Sequence, residues 1–147
     1  MTGTNQAAER VPGQAMTVAE ALALLGQVRF GRVVFTSHAL PAVRPVRHVV
    51  ADGEIVIAAG PELVLTALGG PSAPGSTAQT IVAYEADQLD PSGSEGWSVV
   101  VVGRARALSG DAENDWYRTL LPAISGPDQL VAISADVVTG FRLSGQP

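Results

Sequence analysis

The 147-residue sequence contains no cysteine and no lysine. The first absence excludes disulfides, thiolate nucleophiles and cysteine-ligated metals. The second excludes Schiff-base lysines and lysine general bases. Histidine occurs only twice, as His38 and His48, without the spacing of a zinc site, so no metal site is expected. No apolar run approaches the roughly 18 residues of a membrane-spanning helix. The opening MTGTNQAAERVPGQA lacks the basic-then-apolar order of a secretory leader. A net charge of −5 argues against a nucleic-acid binder, which needs a basic face to displace counterions. There is no nucleophile elbow, Walker loop or Rossmann glycine pattern. These absences leave a cytoplasmic protein with neither nucleic acid nor membrane as partner.

What is present suits a single domain with a working hydrophobic core: 46% of residues are hydrophobic and 16% charged. Residues 1–15 are polar and aperiodic and read as a flexible tail, leaving 16–147 as the domain. Thr17 followed by Glu20 is a capping box, and Val18, Leu22 and Leu25 recur at helical spacing up to Gly26, which predicts a helix. From Arg29 onward come short β-branched runs: RVVFTS, AVRPVRHVVA, EIVIAA, TIVAYEA, WSVVVVGRARAL, LVAIS and VVTGFRL. The turn residues between them point to an all-β barrel or sandwich. PELVLTALGG, with Pro61 first and Gly69 near its end, predicts a short middle helix. DAENDWYRTLLP, with Asp111 as cap and Pro122 as stop, predicts a late one. On the late helix, Trp116 and Leu120 are four apart and are expected as core contacts.

The positive charge is local. Every basic residue is arginine, and four of the nine (Arg29, Arg32, Arg44, Arg47) fall between Gly26 and Ala51, a stretch without a single acid. Its second half forms a hairpin with EIVIAA across Asp52–Gly53. Strand alternation puts Arg44, Val46, His48 and Val50 on one face and Val43, Arg47 and Val49 on the other. A small anionic ligand fits such a strand, since a guanidinium presents paired donors to phosphate oxygens. Rim arginines snorkelling from an apolar base fit it equally. His48 is the only plausible proton donor, although a lone histidine on such a strand is more often structural. His38 is expected to be exposed.

RVVFTSHALPAVRPVRHVVADGEIVI, then IVAYEADQLDPSGSEGWSVVVVGRARAL, then VTGFRL resembles the pyridoxamine 5′-phosphate oxidase-like family, in particular its small actinobacterial members. The likeness runs from about Thr17 to Leu143 and implies a mainly β fold. That fold is a six- to seven-stranded split β-barrel with an N-terminal helix, a short middle helix and a late helix. It implies a homodimer holding FMN at the subunit interface and a flavin-dependent oxidoreductase acting on a small molecule. Related possibilities are the deazaflavin F420, or a dimeric module without FMN that serves a structural or ligand-sensing role. By the same resemblance, Arg44 meets the FMN phosphate, with Pro45, Val46, Arg47 and His48 beside it. Ser98 takes the flavin-facing place at the start of its strand, and Trp97 stacks on or shields the ring. Ile57 and Ala58 stand where relatives carry a polar pair. Pro61 and Glu62 stand where relatives carry a base, so Thr66 and the helix N-terminus are the remaining phosphate contacts there. The resemblance names no catalytic residue.

Overall fold

The computed structural model describes residues 13–60, 80–108, 111–121 and 129–143. In chain order the elements are β1 (Gly13–Ala15), α1 (Val18–Leu25), β2 (Phe30–Ser37), β3 (Leu40–Ala51) and β4 (Glu54–Ala59). They are followed by β5 (Thr80–Leu89), β6 (Gly96–Ala107), α2 (Asp111–Leu120), β7 (Gln129–Ser134) and β8 (Val137–Leu143). The middle helix expected at PELVLTALGG, Thr66 within it, and the Pro122 stop lie outside the described residues.

The strands pair in the order β1-β8-β6-β5-β2-β3-β4-β7, and β7 returns to β6. Six strands therefore close a barrel, while β8 and β1 extend the sheet beyond β6. Closure leaves no barrel edge open to a foreign strand. Both hairpins around β3 turn on left-handed residues: His38 and Ala39 (φ 53° and 65°), then Asp52 and Gly53 (φ 52° and 74°). Two consecutive positive φ values give the turn whose twist matches the flanking strands.

The split in the barrel is built at Gly103. One edge of β6 receives β5 along its length. The other receives β8 from Gly96 to Val102 and β7 from Ala105 to Ala107. Between the two sets, a Cβ on Gly103 would collide with the Ser134 carbonyl, so only glycine lets one strand hand over to the next. Ser134 Oγ accepts the Arg104 amide at 3.0 Å, and Arg104 Nε donates to Asp136 Oδ2 at 3.0 Å.

Inward side chains fill the barrel as its small diameter requires. Val33, Phe35, Ile55, Ile57, Ala59, Val82, Tyr84, Ala86, Val99, Val101 and Ile133 are buried there. α1 closes one end through Ala21 and Leu25, both fully buried. Its capping box is present, with Glu20 and Thr17 each bonding the other's backbone amide. Val18 is exposed: the buried stripe of α1 is Ala21 and Leu25, so the expected 18–22–25 stripe is rotated. A second cluster lies outside the barrel, where α2 sets Tyr117 and Leu121 against Val56, Leu130 and Ala132.

Two further expectations are corrected. The sequence predicts a tail over 1–15, yet Gly13–Ala15 pairs with Leu143–Phe141, because β8 has a free edge that a short extended segment satisfies. On α2, Trp116 and Leu120 are 55% and 44% exposed, and the core contacts are Tyr117 and Leu121. Both pairs are four apart, so spacing alone does not choose between them. The faces of β3 follow the alternation expected for them, and His38 is exposed.

Candidate functional site

Register separates the site residues expected on β3, β4 and β6 into two groups. Arg44 lies opposite Val33 and Val46 opposite Gly31, so Arg44, Val46 and His48 occupy the inward face with Ile57 and Trp97. Pro45, Arg47, Ala58 and Ser98 point outward. Ala58 packs toward α2, and Ser98 sits half-buried opposite Asp87.

Inside the barrel, His48 is 4% exposed, and it is the only buried polar or charged residue among the described ones. Its Nε2 lies 2.8 Å from the Leu25 carbonyl, and a carbonyl only accepts, so Nε2 carries the proton. Nδ1 then accepts from the Tyr84 hydroxyl. Burial holds the imidazole pKa below its usual value and pushes the Tyr84 phenol up. The pair is therefore neutral, and both ring nitrogens are engaged within the protein. Tyr84 fits because β2 carries glycine beside it: a Cβ on Gly31 would stand 2.5 Å from the ring. These contacts tie β3, β5 and the end of α1 together.

Arg44 reaches the rim of the same face. Its Nη1 donates to the Val43 carbonyl at 2.9 Å, and its guanidinium lies 5.9 Å from the Phe35 ring centroid.

On the outward surface two clefts adjoin and share Val28 and Arg29. One, of about 550 Å³, is lined by Gln27, Phe30, Gly31, Arg32, Pro45 and Asp87 besides the shared pair. The other, of about 450 Å³, runs beneath α2 and takes in Arg47, Val49, Val50, Trp116 and Leu120. No carboxylate of the described residues pairs with Arg29 or Arg47. The Arg47 guanidinium lies 5.1 Å from the Phe30 ring centroid, an attractive cation–π geometry. Arg32 is different: its Nη1 meets Glu85 at 2.9 Å and Asp87 at 3.5 Å. Burial, with Asp87 alongside, pushes the Glu85 carboxyl up to about 7 against the pull of Arg32. Chemically, the first cleft offers cationic donors beside flat apolar surface, the arrangement that suits a planar ring bearing an anionic group.

Sequence reasoning placed Arg29 in the basic segment without assigning it a role, and missed Phe30, Trp116 and Leu120 as cleft residues. The acid-free run was the available signal for the first two. Nothing in the sequence marks the last two, since cleft and core share their spacing.

Residues 17–142 match the sequence profile of the pyridoxamine 5′-phosphate oxidase family. An uncharacterized protein of Mycobacterium tuberculosis is 43% identical over 126 residues, covering 84% of this chain and 81% of the relative. A FAD-binding protein of Mycobacterium smegmatis superposes with a TM-score of 0.64 at 25% identity, covering 89% of this chain and 98% of that one. A FAD-binding protein of Mesorhizobium loti shares the fold with a TM-score of 0.70 at 19% identity, covering 88% of this chain and 96% of that one.

Proposed function

This chain belongs to the pyridoxamine 5′-phosphate oxidase family, and from that premise we propose that it binds FMN and serves as a flavin-dependent oxidoreductase for a small substrate. The observation that carries this reading is Arg29: a guanidinium with no carboxylate partner among the described residues, at a cleft that also presents Phe30 and Pro45. The flavin-binding relatives support the same ligand class. In this reading Arg29 holds the phosphate by charge-assisted hydrogen bonds. Phe30 and Pro45 lie against the ring, and Ser98 offers a hydroxyl on the same outward surface. A bound flavin supplies hydride or electron transfer, while the protein orients it and excludes water.

The cofactor cleft lies on the outer surface of the sheet, so a second subunit is needed to cover it. Ile81, Val137 and Phe141 are 59%, 57% and 53% exposed, and they belong to β5 and β8, the strands that flank β6. An uncovered apolar face of this kind marks an association surface, and the proposal assigns it to a homodimer.

A second reading has its own support. Arg32 is already paired with Glu85 and Asp87, and the end of β4 offers only Ile57, Ala58 and Ala59. A dimeric module without flavin, sensing another ligand, is consistent with both. Titrating FMN, and F420 in parallel, into purified protein separates the two readings. The first expects saturable binding at micromolar FMN, weakened about tenfold or more in Arg29→Gln by loss of one charge-assisted contact. Absence of binding at that concentration leaves the second. Arg44→Ala, run alongside, tests the residue that the family resemblance places at the phosphate.

A further inference from the structure

Helix α2 carries two large apolar side chains that its own packing does not use. Tyr117 and Leu121 bury its inner stripe, while Trp116 and Leu120 face the cleft of about 450 Å³ beneath it. The floor of that cleft is apolar, from Val28, Val49 and Val50. At its edge stands Arg47, half-buried, its guanidinium held at the Phe30 ring and paired with no carboxylate among the described residues. A cationic edge, an apolar wall from Trp116, Leu120 and the valines, and a volume within the range of small-molecule sites occur together. The wall distinguishes this cleft from a site for inorganic anions, which need no apolar surface. The half-buried Arg47 guanidinium, with Arg29 also in the lining, distinguishes it from a site for neutral hydrocarbon.

We propose that this cleft binds an amphiphilic carboxylate, with its head on Arg47 and its aliphatic or aromatic body between Trp116, Leu120 and the valines. A carboxylate matches the planar fork of a guanidinium, and a partly desolvated setting strengthens the pairing. The apolar body covers an exposed Trp and Leu that otherwise meet water. The site does not depend on the flavin reading, although Arg29 and Val28 border both clefts.

The test titrates octanoate into the full chain with no flavin added, following tryptophan emission. Trp97 is 6% exposed and Trp116 is 55% exposed, so a blue shift on binding reports Trp116. The proposal expects a saturable shift, with acetate and 1-octanol each binding about tenfold or more weakly. Arg47→Gln weakens octanoate by a similar factor while leaving 1-octanol unchanged, and Leu120→Asp, at an exposed position, abolishes binding through its charge. Circular dichroism and thermal melts confirm that both variants fold. No saturable octanoate binding at millimolar concentration overturns the proposal. So does 1-octanol matching octanoate, or a folded Arg47→Gln protein that binds octanoate like the wild type. Octanoate binding without FMN binding removes only the flavin reading, and the converse result removes only this one.

Discussion

His48 and Tyr84 are joined where three elements meet, and the chemistry of each fixes the other's protonation. The Leu25 carbonyl forces the proton onto Nε2, so Nδ1 needs a donor and the Tyr84 hydroxyl supplies it. Tyr84→Phe leaves that buried acceptor unpaired, which costs about 1–3 kcal/mol. Urea denaturation reads this directly, and unchanged stability would contradict the assigned tautomer. Glu85 supplies the pH dependence. Its carboxyl titrates near 7 in the fold against 4.5 when unperturbed, so the folded state holds more protons between those values. Stability contributed by the protonated group is thus complete below 4.5 and is lost as pH rises through 7. His48 has the opposite sign: burial depresses its pKa below 6.5, so stability is lost as pH falls from 6.5 through the lowered value. Glu85→Gln should therefore flatten the loss between pH 4.5 and 7 in thermal melts, exposing the histidine's contribution. An unaltered profile would show that Glu85 is solvated like any surface acid.

At the scale of elements, the hand-over from β8 to β7 along β6 is the feature most sensitive to one atom. Gly103→Ala places a methyl group against the Ser134 carbonyl, which is backbone and has no rotamer to yield. A loss of about 3 kcal/mol or more is expected, in the range of severe steric substitutions, with calorimetry as the check. A stable, wild-type-like Gly103→Ala protein would mean the strands separate there without effort. The sequence announced some elements and concealed others for physical reasons. The Asp52–Gly53 turn and the Thr17–Glu20 box are local chemistry, legible without the fold. The inward and outward faces of β3 follow from period-two alternation. β1 was invisible because Gly13–Ala15 has no pattern of its own and is a strand only because β8 lies beside it. Trp116 and Leu120 were misread because the α2 stripe is set by where the helix lands on β4 and β7. The gathering of Arg29, Phe30, Arg32 and Pro45 around one cleft required the β2–β3 register, although the acid-free run already contained all four.

For the whole molecule, the barrel interior is filled, while the outer face of β5, β6 and β8 presents Ile81, Val137 and Phe141 to solvent. The account places a second copy there, so light scattering at micromolar concentration should give a dimer mass. Phe141→Asp, at a 53% exposed position, should shift it toward monomer while preserving the fold. A monomeric wild type would remove the proposed interface, and with it the cover proposed for the flavin cleft. The claim at the centre is that the outward cleft beside Arg29 holds a flavin. Equilibrium titration of the purified chain with FMN, read by quenching of flavin fluorescence, tests it most directly. The account predicts saturable micromolar binding at one FMN per chain, lost about tenfold or more in Arg29→Gln. Fluorescence that stays that of free FMN throughout, or a folded Arg29→Gln protein binding as tightly as the wild type, would contradict it.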